Sequence, residues 1–193
     1  AGMRYSEDTF ETNVTNFFNV ETFTEKGTSD ETTGKITGEL DLSDSAMAYL
    51  SFSRGFKPGG SNLTFGFTEI EDAAAGRPLA PALVFPTFDA ETVDSIEFGL
   101  KTDLMDGRAR ANIAAFSYTY ENLQFQATDP DPYRGGVANI PESEMSGLEI
   151  EFKGLLTDSL ILDMNLSFLD SEVTSDYMVL DNVDAYQYFF GQE

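Results

Sequence analysis

Polar and apolar residues alternate along several segments of the chain, and this pattern predicts β-strands. The alternation is clearest in Ser95–Lys101, Gly147–Lys153 and Leu160–Phe168, and Ile36–Leu42 repeats it over a shorter stretch. Successive side chains of a strand point to opposite faces, so a period of two gives each strand one apolar face and one polar face. These segments therefore predict a sheet with two chemically different surfaces.

Three further segments are strand-like, although their alternation is less regular: Met3–Phe10, Ala46–Arg54 and Arg108–Tyr120. Their aromatic and β-branched residues favour sheet over helix. Together with the four segments above, they predict a sheet of about seven strands.

The connections between these strands fall into two kinds. Short ones carry turn-forming Ser, Thr, Asp and Gly at residues 43–45, 103–107 and 157–159. Long ones, rich in Gly, Pro, Asp, Asn and Thr, are expected near residues 11–34, 58–91 and 126–144. A strict succession of short turn and long loop is typical of an antiparallel up-and-down meander, as in outer-membrane β-barrels, whereas Greek-key sandwiches do not usually sort their loops this way.

Composition narrows the chemistry that the chain can perform. Asp and Glu total 34 against 11 Lys and Arg, for a net charge of −23, so binding to nucleic-acid phosphates is not expected. The chain has no Cys and no His, which excludes thiolate and imidazole catalysis, disulfides and the usual zinc sites. We therefore predict no enzyme, no cofactor and no metal site. No apolar run approaches the ~20 residues of a membrane-spanning helix, but membrane-spanning strands need no such run.

Four segments follow one another in a recognisable order. They are Tyr49–Gly60 with the letters YLSFSRGFKPGG, Glu97–Lys101 with the pattern Glu-x-Gly-x-Lys, Asn112–Phe116 followed by Tyr118, Tyr120, Asn122 and Gln124, and Asn139 followed by Gly147-x-Glu149-x-Glu151. In order and spacing they resemble the β-barrel strands of TonB-dependent outer-membrane receptors. The resemblance covers roughly residues 46–168, with a further upstream strand near residues 2–8.

The resemblance implies a fold, a location and a function. The fold would be all-β, with residues 1–193 forming part of a transmembrane β-barrel; no plug domain is recognisable, so we expect the plug to be absent. The location would be the bacterial outer membrane, with its lipid and lipopolysaccharide as partners. The function would be uptake of a large nutrient complex, such as a ferric siderophore or another iron chelate. The TonB system would drive this uptake through the missing plug.

Four residues near the loop end of the predicted sheet are candidates for ligand binding: Arg54, Lys57, Tyr133 and Arg134. In an acidic chain, cationic and aromatic groups at this end could meet an anionic chelate. The alternative is that they pair with neighbouring carboxylates or contact lipopolysaccharide, since exposed charges are usually solvated.

Five charged residues fall on the polar faces of the predicted strands: Glu97, Lys101, Glu149, Glu151 and Lys153. Their regular spacing suits the water-facing lumen of a barrel, with Glu and Lys paired across strands. The alternative is a glycoside-acting protein that uses a pair of carboxylates, in which Glu149→Gln or Glu151→Gln would abolish turnover.

A different kind of protein also fits the composition: a secreted β-sandwich that acts as a binding or adhesin-like module. It would have a two-layer core and dissolve without detergent. A phosphate-binding loop is not expected at Gly55–Ser61, because Gly60 lacks the following Lys and Pro58 removes an amide donor.

Overall fold

The computed structural model describes residues 1–15, 22–62, 87–130 and 133–177. Within these ranges the chain forms β1 (Gly2–Thr15), β2 (Thr22–Ser43), β3 (Ala46–Lys57), β4 (Gly60–Ser61), β5 (Thr87–Phe88), β6 (Glu91–Leu104), β7 (Ala109–Pro130), β8 (Tyr133–Thr157) and β9 (Leu160–Val173). The same ranges contain no helix that is long and apolar enough to cross a membrane.

Seven of the strands form one antiparallel sheet in the order β1-β2-β3-β6-β7-β8-β9. The two short strands β4 and β5 pair with each other in a separate ribbon, inserted between β3 and β6. Every other strand lies beside its neighbours in sequence. The all-β, up-and-down meander predicted from the alternation is therefore confirmed.

The three short connections lie at the same end of the sheet, which we call the turn end. They join β2 to β3, β6 to β7 and β8 to β9. The β6–β7 turn has positive φ at Met105, Asp106 and Gly107 (55°, 57° and 80°), a left-handed conformation that glycine adopts without steric cost. In the other two turns, the Ser43 and Thr157 hydroxyls accept bonds from the amides of Ser45 and Ser159.

The structure corrects two of the predicted loops at the opposite end, the loop end. Residues 11–15 and 22–34 continue β1 and β2, which pair as far as Thr15 and Thr22. Likewise β7 and β8 run through most of 126–144 and pair as far as Pro130 and Tyr133. Two tall hairpins stand there instead of loops. The third predicted loop, 58–91, contains β4 and β5, and its residues 63–86 lie outside the described part.

The two faces of the sheet differ as the alternation predicts. The even-numbered residues of β3 and β6 share one face with their partners on the other strands. Most of the large apolar residues on this face are exposed. We call these the apolar belt: Ile36, Leu40, Leu50, Phe52, Ile96, Phe98, Leu104, Ile113, Leu148, Leu160, Leu162, Met164, Leu166 and Phe168. On β6 the belt extends from Ile96 to Leu104, about 26 Å along the strand at ~3.3 Å per residue. A strand tilt of ~40° reduces that length to a height of about 20 Å, close to the ~25 Å apolar band of outer-membrane barrels.

The opposite surface, which we call the polar face, is the more enclosed of the two. Ser51, Gly99 and Phe116 on this face are buried, whereas their neighbours Leu50, Phe52 and Phe98 on the belt are exposed. In the described ranges the sheet is a single layer without the two-layer core that a β-sandwich requires.

Candidate functional site

The polar face brings together the five charged residues that the alternation placed there. β-sheet register puts Lys101 and Glu151 in one row across β6, β7 and β8, on either side of Asn112. Glu149 lies in the adjacent row. Glu97 on β6 and Lys153 on β8 also lie on the polar face. Their assignment to a lumen remains a prediction.

A tyrosine that was not among the predicted site residues organises the centre of this face. The Tyr49 hydroxyl donates a 2.6 Å hydrogen bond to Glu97, and the Lys101 ammonium lies 5.2 Å from the centre of the Tyr49 ring. The ring covers Gly99, its register partner on β6. Because Gly99 has no side chain, the ring occupies the space that a Cβ would take and reaches both Glu97 and Lys101.

The same arrangement, in which an aromatic ring covers a glycine in the neighbouring strand, occurs in four register pairs of the described strands. They are Phe10 with Gly27, Tyr49 with Gly99, Phe88 with Gly60 and Phe116 with Gly147. Aromatic cover of strand glycines is a known means of fixing register. The Phe116 ring also stacks on Tyr118, with 4.9 Å between ring centres.

Charges nearer the turn end pair differently from the prediction. Lys153 contacts Asp163 on β9 at 3.4 Å, and Glu151 accepts a 3.0 Å hydrogen bond from the Asn112 side chain. Glu151 and Lys153 therefore do not form the expected Glu–Lys pairs across strands. Lys153 reaches toward β9 because its own register partner on that strand is the carboxylate.

Arg54 lies on the belt side of the sheet, one row beyond Phe52 and Ile96 toward the loop end. Its guanidinium donates two hydrogen bonds, of 2.6 and 2.5 Å, to the two carboxylate oxygens of Asp94 and approaches Glu31 at 3.5 Å. The structure thus favours the alternative interpretation of Arg54, which is pairing with neighbouring carboxylates.

This ion pair predicts a pH dependence. The hydrogen bond from Arg54 holds the pKa of Asp94, which lies outside the belt, below its ordinary value. A lowered pKa stabilises the folded state above about pH 4, and the contribution disappears as the pH falls through the lowered pKa. Both side chains are about half exposed, so we expect Asp94→Asn to cost at most about 1 kcal/mol at pH 7. Chemical unfolding of the parent protein and the Asp94→Asn variant at pH 7 and pH 2.5 measures this cost. A stability difference between the two proteins that grows in acid would contradict the ion pair of Arg54 with Asp94.

For the other three candidate ligand-binding residues, the structure gives strand positions. Lys57 ends β3 opposite Glu91 on β6. Tyr133 and Arg134 begin β8 at the tip of a tall hairpin, paired with Pro130 and Asp129, and only their backbone is described. Their role in binding remains a prediction.

The β4–β5 ribbon is attached to the β7–β8 hairpin by two side-chain amides. Asn62 donates to the Val137 carbonyl and accepts from the Val137 amide, both at 2.8 Å. In the opposite direction, Asn139 accepts from the Asp89 amide at 2.8 Å and donates to the Asp89 carbonyl at 3.0 Å. Each amide group therefore makes the two bonds that a residue of a neighbouring strand would make. We call these contacts the amide clasp.

The ribbon has further contacts on both sides. Gln124 on β7 donates to the carbonyl of Pro58 at 2.9 Å and to that of Asp89 at 3.1 Å. On the side of the β1–β2 hairpin, Ser29 accepts a bond from the Gly59 amide, and Thr12 accepts one from a ribbon hydroxyl. The ribbon therefore connects the two tall hairpins. The sequence gives no periodic signal for it, because its two strands are only two residues long.

No group of acidic residues in the described ranges is arranged to hold a metal ion.

Comparison with known proteins gives one consistent result. Residues 1–191 match the family model described as TonB dependent receptor-like, beta-barrel. The chain is 26% identical over 175 residues to the probable TonB-dependent siderophore receptor PiuA of Acinetobacter baumannii, covering 91% of this chain and 22% of that protein.

Two solved structures share the fold. The ferric yersiniabactin uptake receptor FyuA from Yersinia pestis superposes with a TM-score of 0.64 at 20% identity, over 90% of this chain and 24% of that one. The siderophore receptor PiuA from Acinetobacter baumannii gives 0.63 at 22% identity, over 93% and 24%. The chain thus spans less than a quarter of the length of these proteins.

Proposed function

The chain belongs to the TonB-dependent receptor β-barrel family, and from this membership we propose that it forms part of the wall of an outer-membrane receptor for large nutrient complexes. Members of the family are receptors and transporters of the bacterial outer membrane, not enzymes. The observation that carries the proposal is the two-faced, single-layer sheet. Its apolar belt is exposed although it contains large hydrophobic side chains.

The apolar belt is the lipid-facing surface in this proposal. Leu50, Phe98 and Leu166 are 48%, 57% and 44% exposed. Exposing such apolar surface to water costs free energy, and this cost disappears when the surface faces hydrocarbon. Lipopolysaccharide is the expected partner of the loop-end margin of the belt. A secreted β-sandwich would instead bury this face against a second sheet.

The polar face is the lumen wall in this proposal. Its carboxylates, ammonium groups and amides are those expected beside water. The TonB system would act through a plug, to which no residue of this chain is assigned. A ferric siderophore is the favoured solute, because the relative PiuA is named as a probable siderophore receptor. Lys57, Tyr133 and Arg134 remain candidate contacts for it, and Arg54 is not retained.

Uptake tests the proposal. In iron-starved cells that produce the full-length receptor, radioactive iron from a ferric siderophore should accumulate. Accumulation should fall to background when either the receptor or TonB is removed, because neither can import the complex alone. A panel of ferric hydroxamates and ferric catecholates covers the main chelator classes. If none of them accumulates while the receptor is present in the outer membrane, the siderophore assignment is wrong.

A further inference from the structure

A cavity of about 390 Å³ opens at the loop end, between the β1–β2 hairpin and the β4–β5 ribbon. Its size lies in the range of small-molecule sites, ~300–1,000 Å³. The rings of Phe10 and Phe88 contribute to its walls, and Asn122 contributes from β7. It is separate from the polar-face cluster around Tyr49, since none of its lining residues belongs to that cluster.

The two rings are fixed by their strand partners. Phe10 covers Gly27, and Phe88 covers Gly60, in each case directly across a register pair. A Cβ at Gly60 would lie 2.6 Å from the Phe88 ring, so the ring occupies the space that a side chain would take. The aromatic walls are thus set by backbone pairing and exist before any ligand binds.

The amide clasp fixes the ribbon that carries Phe88. Asn139 holds both backbone groups of Asp89, the residue that follows Phe88, and Asn62 holds the other ribbon strand to Val137. Asn62 is 8% exposed, so water has little access to compete for its hydrogen bonds. The wall of the cavity is therefore attached to the β7–β8 hairpin by paired hydrogen bonds.

The charged residues of the lining disfavour an anionic ligand. Among the described lining residues, Asp30 and Asp89 are acidic, and the cation Lys26 is paired with Glu11 at 2.9 Å. Aromatic rings attract a cation through their π faces, and the two exposed carboxylates repel an anion.

We propose that this cavity is a subsite for a planar ring, neutral or positively charged, on the transported complex. Asn62 and Asn139 act as its positioning residues. The inference rests on the proposed function, because it places a solute at the external end of the receptor.

Two probes with a planar bicyclic ring and opposite charge test the subsite: N-methylquinolinium and 2-naphthalenesulfonate. Equilibrium dialysis against the full-length receptor in detergent measures both affinities. We expect the quinolinium to bind at least about 10-fold more tightly than the sulfonate. Phe88→Leu should weaken quinolinium binding about 5-fold, because the π face is lost. Phe98→Leu, the same change on the apolar belt, should leave binding unaltered.

A second variant tests the positioning residues. Asn139→Ala should accelerate hydrogen exchange at the Asp89 amide and weaken quinolinium binding, while receptor folding, followed by circular dichroism, is retained. Equal affinity for the two probes, or a Phe88→Leu receptor that binds quinolinium normally, would overturn the subsite. Neither result depends on transport, so the subsite can fail while TonB-dependent uptake stands. A failure of uptake with intact probe binding would instead overturn the proposed function.

Discussion

Replacing Leu166 with arginine is expected to destabilise the folded protein by about 2–4 kcal/mol in a lipid bilayer, the cost of a cation near the middle of the lipid face of a barrel. Leu166 lies on the belt side of β9, opposite Ile150, and is 44% exposed. The arginine would face hydrocarbon with no carboxylate in its row. Urea unfolding of the full-length receptor in phospholipid vesicles, followed by circular dichroism, measures the loss.

The adjacent residue supplies the control. Ser167 lies on the polar face with Glu149 as its register partner, so Ser167→Arg places the same cation opposite a carboxylate. We expect a change of less than about 1 kcal/mol, since opposite charges across strands are mildly stabilising. Equal destabilisation by the two arginines would mean that the belt does not face lipid, and the membrane assignment would fail with it.

Much of the sheet can be predicted from the sequence because, in the proposed barrel, hydrocarbon imposes a strict rule. Where one face meets lipid and the other meets water, every second residue must be apolar, and segments such as Ser95–Lys101 and Gly147–Lys153 keep that rule throughout. The less regular Arg108–Tyr120 also follows it, since Ala111, Ile113 and Ala115 lie on the belt side.

The tall hairpins could not be predicted by the same rule. In the proposed barrel, both faces of a strand beyond the belt are outside hydrocarbon, so nothing selects alternating polarity. Residues 22–34 hold five Thr, two Gly and four charged residues among thirteen, a composition that is also typical of loops. They form a strand because each residue pairs with β1, and pairing across strands cannot be inferred from local composition.

Of two features of the candidate site, one could have been predicted from the sequence and the other could not. The position of Arg54 could have been predicted, because it shares strand parity with Leu50 and Phe52 and therefore lies on the belt side. The contact of Tyr49 with Glu97 could not, because it depends on the register that brings Gly99 under the ring. Register is a property of two strands, whereas parity is a property of one.

Valine at Gly147 is expected to cost about 3 kcal/mol, the upper end of what overpacking normally costs. Even a Cβ there would lie 2.6 Å from the Phe116 ring and 2.8 Å from the Phe168 carbonyl on β9. The ring can rotate away, but the carbonyl belongs to a paired strand and moves only if the β8–β9 ladder shifts. Urea unfolding in vesicles measures the cost, and Phe116→Ala in the Gly147→Val background should recover only part of it.

Gly38 is the matched control for this substitution. It lies mid-strand in β2, on the belt side opposite Leu50, and a Cβ there would meet nothing within 4 Å. Valine also favours strands and suits a position that faces lipid in the proposed barrel, so Gly38→Val should be neutral or stabilising by up to about 1 kcal/mol. A Gly147→Val variant as stable as Gly38→Val would show that the ring does not need the glycine beneath it. Full recovery by Phe116→Ala would assign the whole cost to the ring and none to the backbone of β9.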